Sequence, residues 1–184
     1  MDNGASSYRR FLDGDNDGFI EIVRDYKDGL ILYLQSFVRN ISAAEELAED
    51  TFVRLGMKKP HFYGKSSFRT WLYAIGRNIA IDYIRKQSKH NAISIDECAD
   101  IADMELLEAV YIREERKIII HKTMSRLKSE YRQVLWLIYF EGFSGKETAK
   151  IMKKSVHNIE TLTYRARQAL KSELMKEGFH YEDL

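Results

Sequence analysis

Cysteine is nearly absent from this chain of 184 residues, and what is missing narrows the reading before any motif does. Cys98 stands alone, so no disulfide can close within the chain and no cysteine-based zinc site can be built. That fits a reducing compartment. Proline also occurs once, as Pro60, at the head of a short loop. No apolar run approaches membrane-spanning length, and the polar N-terminus has none of the marks of a secretory signal. The expectation is a cytoplasmic protein without membrane insertion. The five histidines (His61, His90, His121, His157, His180) are scattered without metal-ligand spacing, and no glycine-rich phosphate loop occurs. No catalytic residue, metal or cofactor is expected. Asp13–Gly18 has the acidic, glycine-containing look of a calcium loop, but the twelfth position, where a bidentate Glu is needed, is Arg24. It reads as a turn with Asp17 as helix N-cap.

Net charge is also nearly absent, at +1, but its distribution is uneven. Residues 1–60 hold eight bases against eleven acids, and 61–90 hold six bases against Asp82 alone. Residues 91–115 hold Arg113 against eight acids, and 116–176 hold fourteen bases against five acids. Two basic blocks separated by an acidic segment point to two phosphate-facing surfaces with a connector between them.

Helical periodicity accounts for most of the chain. Met1–Ser7 reads as a disordered tip. Residues 19–40 read as a helix with Phe19, Ile20, Val23, Leu30, Leu34, Phe37 and Val38 apolar and a kink at Gly29. Ser42–Lys58 opens on a capping box at Ser42–Glu45 and buries Leu47, Ala48, Thr51, Phe52 and Leu55. Glu45, Glu46, Glu49 and Asp50 stay outside, as a solvated face or a docking surface for a basic partner. Further helices are expected at 104–125 and 130–141, the latter supplying Val134, Leu135, Leu137, Ile138 and Phe140 to a core.

The stretch His61–Lys89 is the most informative. Phe68, Leu72, Ile75, Ile79 and Tyr83 give a helix with one buried face, and Trp71, Asn78 and Arg85, seven apart, share a neighbouring edge. The loop before it carries Phe62, Tyr63, Lys65, Ser66 and Ser67. Bases that track phosphates, aromatics that stack and small polar groups that read an exposed base edge suit a single strand drawn from its duplex. An ordinary amphipathic helix with solvated charges is the alternative.

Near the C-terminus, Ser144-Gly145-Lys146-Glu147 is a second capping box that starts a short helix through Met152. Lys153-Lys154 makes a turn, and Ser155 caps a long basic helix to about Lys176 with Ile159, Leu162, Ala166 and Leu170 inward. This is the helix-turn-helix layout. His157, Asn158, Glu160, Thr161, Tyr164 and Arg165 then stand where base edges are read, His157 being equally compatible with a plain surface position. Lys146, Lys153, Lys154, Arg167 and Lys171 stand where phosphates are held.

Taken together, these motifs resemble a bacterial RNA polymerase sigma factor of the extracytoplasmic-function (ECF) class, over about residues 15–88 and 107–175. Ala44–Leu55 looks like the family's polymerase-docking helix, Ser67–Asn78 like its minus-ten helix, and Tyr139–Ser144 with Tyr164–Arg167 like its minus-thirty-five domain. The resemblance implies an all-α fold of two small helical domains joined by a flexible acidic linker, the second containing the helix-turn-helix. The domains would span 1–89 and 107–176, with the linker at 90–106 threading toward the RNA-exit channel and an acidic tail at 177–184. It implies core-polymerase binding by Glu46, Glu49, Asp50 and Phe52. It implies minus-ten contacts from Arg54, Ser66, Ser67, Arg69, Trp71, Arg77, Asn78 and Arg85, and minus-thirty-five contacts from the helix-turn-helix residues above. The implied partners are the clamp and flap of core RNA polymerase, promoter DNA and, as is common in the family, an anti-sigma factor. The family usually has Gln at the position of Glu49, Gly and an aliphatic at Lys153-Lys154, and a base at Glu160, so no promoter consensus is carried over. A helix-turn-helix regulator with a sensing N-terminal half is the competing reading, and an enzyme is a more distant third.

Overall fold

The structure, a computed structural model, describes residues 3–91 and 115–176, and all secondary structure among them is helical. The predicted linker from residue 92 onward, the 104–114 part of a predicted helix and the tail at 177–184 lie outside the described residues.

In the first half, α1 (Asn3–Leu12) lies along α2 (Asn16–Val38). The expected disordered tip is therefore helical from Asn3. Its sequence is a poor helix on its own, and packing holds it: Tyr8 and Phe11 are buried, Tyr8 against Phe68 and Trp71, Phe11 against Phe19. Gly18 makes the approach possible, since a Cβ there would lie 2.3 Å from the Ser7 carbonyl oxygen. The N-cap of α2 is Asp15, whose carboxylate accepts from the Asp17 N–H at 3.0 Å, so Asp17 belongs to the first turn. The helix does not break at Gly29. The helix runs through it, and the missing side chain leaves room for Tyr73, whose hydroxyl would be 2.6 Å from a Cβ. Ile20, one of the apolar positions of this helix, is 61 % exposed.

Helix α3 (Ile41–Lys58) is capped by Asn40, two residues ahead of the expected Ser42; the Asn40 side chain accepts from the Ala43 N–H at 2.7 Å. Its stripe of Leu47, Ala48, Thr51, Phe52 and Leu55 is buried as the periodicity requires. Helix α4 (Phe68–Asn91) packs on α2 and α3 through Phe68, Leu72, Tyr73 and Ala80, and it runs two residues into the segment expected to be linker. Each large side chain so buried contributes about 1.5–3 kcal/mol.

In the second half, α5 (Glu115–Ser125) is followed by α6 (Ser129–Leu135), which widens into a π-helical turn at Trp136–Phe140. The Glu141 N–H reaches back five residues to the Trp136 carbonyl at 3.0 Å. Val134, Leu135 and Leu137 are buried, but Phe140, carried round by the wider turn, is 42 % exposed. Then come α7 (Gly145–Met152), with its Ser144–Glu147 capping box formed from both sides, and α8 (Val156–Lys176). Ser155 accepts from the Asn158 N–H at 3.1 Å, and Ile159 and Ala166 face the core.

The two halves pack on each other, α4 against α7 and α2 against α6. Arg132, buried, donates from Nε to the Ser36 carbonyl at 2.8 Å and also reaches the Phe37 carbonyl. These are carbonyls of the last turn of α2, which have no partner within their own helix and sit at its negative end.

Candidate nucleic-acid interface

The loop 60–67 is held in place by α1. The Tyr8 hydroxyl donates to the Pro60 carbonyl at 2.7 Å, and burial pushes its pKa up to about 12, which keeps it a donor. Ser67 caps α4, its hydroxyl accepting from the Thr70 N–H at 3.2 Å. Ser66 and Ser67 are half-buried, and Ser66 donates to the Ser67 carbonyl at 3.2 Å. Tyr63 is 74 % exposed, against His61 and with the Lys65 ammonium 5.8 Å from its ring centroid. The sequence signal for it was the aromatic loop itself, yet Tyr63 was not among the residues singled out there for DNA.

The predicted minus-ten residues do not form one surface. At about 100° per residue, Arg69, Tyr73 and Arg77 share one side of α4, while Trp71, Asn78 and Arg85 share another about 140° away. Trp71 is half-buried in an aromatic cluster, with ring centroids 5.5 Å from Tyr8, 5.2 Å from Phe62 and 5.5 Å from Phe68. Asn78 is half-exposed, and Arg85 is exposed beside Asp82 at 3.3 Å. Arg54 is exposed on α3.

The opposite side faces the second half of the chain. Arg77 is only 8 % exposed, and its Nε donates to the Gln133 side chain at 3.2 Å. Arg69 lies over the Phe143 ring at 4.3 Å and donates to the Glu141 carbonyl at 2.7 Å and to the Glu141 carboxylate. The Tyr73 hydroxyl donates to the same carboxylate at 2.8 Å, and burial holds its pKa far above the usual phenol value. The Ser67 and Thr70 hydroxyls lie 3.4 and 3.2 Å from Glu147 Oε1. Burial pushes the Glu147 carboxyl up, but the Ser144 N–H and hydroxyl, with Thr70 and Ser67, outweigh it and the net shift is downward.

On α3, Glu46, Glu49 and Asp50 are exposed. Phe52 is not available as their apolar companion, since it is 7 % exposed and belongs to the core. Val53 and Met57, 53 % and 81 % exposed, stand on the acidic face instead, at helical spacing from Glu46, Glu49 and Asp50.

In the helix-turn-helix, His157, Asn158, Glu160, Tyr164, Arg165 and Arg167 are exposed on α8 and Thr161 is half-exposed. Lys146 and Lys153 are exposed, whereas Lys154 is half-buried and pairs with Glu130 at 3.1 Å. Lys153 holds a left-handed conformation, φ 53°. Among the described residues no group of His, Cys, Asp and Glu could hold a metal ion, and no helix is long and apolar enough to cross a membrane.

Comparison with known proteins places both halves. Residues 22–90 match the family model for Sigma-70 region 2, and residues 117–170 match that for Sigma-70, region 4. The ECF RNA polymerase sigma factor SigM of Bacillus subtilis is 32 % identical over 152 residues, covering 83 % of this chain and 92 % of that protein. SigW of the same organism is 29 % identical over 170 residues, covering 88 % of this chain and 91 % of its own length. Among solved structures, the sigma factor RpoE of Bartonella quintana, crystallised with the anti-sigma factor NepR, superposes with a TM-score of 0.71 at 24 % identity. That match covers 87 % of this chain and 98 % of RpoE, and it shows a shared fold.

Proposed function

The chain belongs to the ECF RNA polymerase sigma factors, and from that premise we propose how its residues divide the work of directing polymerase to a promoter. The region-2 half, residues 1–89, docks core RNA polymerase through Glu46, Glu49 and Asp50, with Val53 and Met57 as the apolar part of the contact. It captures the opened minus-ten strand with Trp71, Asn78, Arg85 and the Ser66–Ser67 loop, and Arg54, Arg69 and Arg77 supply charge to the same DNA. The region-4 half, residues 107–176, sets the start of α8 into the minus-thirty-five major groove. There His157, Asn158, Glu160, Thr161, Tyr164 and Arg165 meet base edges, while Lys146, Lys153, Lys154 and Arg167 meet phosphates.

The observation that carries this reading is that one chain carries, in order, a match to Sigma-70 region 2 and a match to Sigma-70, region 4. The chain carries out no catalysis itself and works in the cytoplasm, where its partners are core polymerase and promoter DNA. An anti-sigma factor that holds it in reserve is a further partner. Run-off transcription of genomic fragments with purified core polymerase tests the proposal. Specific transcripts should arise only when the chain is added. Specific duplex binding with no polymerase-dependent transcript would instead mark a plain helix-turn-helix regulator.

A further inference from the structure

Helix α1 lies ahead of the residues that match the Sigma-70 region 2 model, which begin at 22, and two of its side chains hold the entry to loop 60–67. The helix is itself fixed to α2. The Ser7 hydroxyl donates to the Glu21 carboxylate at 2.6 Å, and Arg10 pairs with Asp15 at 2.7 Å and with Glu21 at 2.9 Å. A Cβ at Gly4 would stand 2.5 Å from the Phe68 ring, so α1 also lies hard against the start of α4. From this fixed post, Phe11 takes the Lys59 ammonium over its ring at 4.7 Å, and Tyr8 donates its hydroxyl to the Pro60 carbonyl at 2.7 Å. Tyr8 is 1 % exposed, with its ring against Phe68 and Trp71. A phenylalanine ring would fill that place equally well. What the tyrosine adds is the hydrogen bond to the loop.

That bond falls where it has most leverage. Helix α3 ends at Lys59 in a left-handed turn, φ 41°. In Pro60 the ring fixes φ and leaves ψ as the one soft torsion. Holding the Pro60 carbonyl takes that torsion away, so the direction in which the loop leaves α3 is set. Ser67 caps α4 at the other end. Between them Phe62 packs its ring against Phe68 and Trp71, at 5.7 and 5.2 Å, and Tyr63 is exposed. A lever of three residues, up to about 10 Å long, swings its end by roughly 3 Å when turned by about 20°. A binding group must be held to within about 0.5 Å. We propose that Tyr8 is a positioning residue for minus-ten recognition: it touches no DNA itself, and by holding the Pro60 carbonyl it sets loop 61–66 in the pose that receives an unpaired base. The proposal rests on the sigma-factor reading above and adds to it a residue from outside the matched segment.

Two measurements on the full chain test this. In the first, Cys98→Ser leaves no other cysteine, and a nitroxide at Tyr63→Cys, an exposed loop position, reports the motion of the loop by electron spin resonance. Tyr8→Phe should raise the mobile-to-ordered ratio of the label by about two- to tenfold, the effect of one typical hydrogen bond. In the second, the unlabelled chain is joined to core polymerase and bound to duplexes whose minus-ten nucleotides are unpaired on one strand. Tyr8→Phe should weaken that binding by a similar factor, because apparent affinity falls with the fraction of chains whose loop is in place. Replacing those nucleotides one at a time by abasic sites then separates positioning from packing. The loss caused by Tyr8→Phe should vanish on the template that lacks the base held by the loop and persist on the others. Pro60→Ala gives a second route. It leaves Tyr8 in place, frees φ at the loop entry, and should act in the same way. Helix content is checked for both variants, and if Tyr8→Phe loses it, Pro60→Ala decides. Unchanged label mobility in a folded variant, or an equal loss on every template, would overturn the positioning role. Raised mobility with no template bound by any of the chains would leave Tyr8 as the residue that sets the loop and remove the sigma-factor reading.

Discussion

Replacing Trp71 with Ala separates strand capture from packing, and the structure sets the size of both effects. A fully buried Trp truncated to Ala costs about 3–5 kcal/mol. Trp71 is half-buried but touches Tyr8, Phe62 and Phe68, each at a centroid distance suited to an aromatic pair. Scaling for exposure gives a loss of about 2–3 kcal/mol, or about 10–20 °C in the melting temperature of a half this size. Such a half remains folded at 25 °C if its stability is in the usual range of about 5–15 kcal/mol. Strand capture would add a separate loss of about 1–3 kcal/mol per base no longer stacked. Asn78→Ala is the control with little packing to lose. Both folded variants should bind core polymerase and form closed complexes, yet show weaker permanganate reactivity of thymines near minus ten. A template already mismatched there should restore much of the transcription. If both variants open duplex promoters as well as the parent while Trp71→Ala only lowers the melting temperature, Trp71 is a packing residue and strand capture by this edge is refuted.

Reversing Glu46 and Asp50 to Lys should weaken core-polymerase pull-down while leaving the melting temperature within a few degrees, because both side chains are exposed; undiminished binding by the folded double variant would remove the docking face. Lys153→Gly should stabilise the chain by about 1 kcal/mol in urea unfolding, since a side chain at φ 53° is strained, while its lost phosphate contact flattens the salt dependence of duplex binding. His121 lies against Trp136 and Phe140, and burial lowers its pKa to about 4. Because the folded value is below the unfolded 6.5, stability should fall as pH drops from about 6.5 to about 4, by on the order of 3 kcal/mol in full. His121→Phe should flatten that part of a urea-unfolding pH series. An unchanged slope would place the titration elsewhere, although Glu147 and the other carboxylates with lowered pKa lose their contribution only at more acid pH.

Much of this was legible in the residues. The stripe Leu47–Leu55 and the Ser144–Glu147 box need only local spacing, and both are where periodicity put them. The N-caps Asp15 and Asn40 were missed by two residues each because Asp17 and Ser42 are equally good capping types, and only backbone geometry chooses between them. Helix α1 was missed because its stability comes from residues far along the chain, Phe68 and Trp71 against Tyr8 and the Lys59 ammonium over the Phe11 ring, which no local pattern records. The same holds for the site. A seven-residue spacing aligned Trp71, Asn78 and Arg85, but it could not say that Arg69 and Arg77 would be covered by residues 56–72 positions away. Lys153 shows the opposite case: the glycine usual in the family at this turn becomes intelligible once its left-handed backbone is seen.

Arg69 now has two claims on it, one from the minus-ten DNA proposed for it and one from Glu141, and a single substitution there cannot separate them. Arg69→Ala removes a donor to the Glu141 carboxylate, which destabilises the packed chain, and removes a charge from the opened strand, which weakens capture. Both effects lower transcription, so a loss of activity alone would say nothing about either. A double-mutant cycle in urea unfolding resolves the conflict because the free chain has no DNA. If the Arg69–Glu141 contact contributes to stability, Glu141→Ala should cost less in an Arg69→Ala background than in the parent. Some effect should persist, since Tyr73 and Trp136 still donate to Glu141. A pair of this kind, with Arg69 35 % exposed and Glu141 8 %, should couple by about 1–2 kcal/mol, within the usual range for contacting residues. Strictly additive effects would mean that the contact adds nothing to stability, and the place of Arg69 over Phe143 would then be a matter of packing alone.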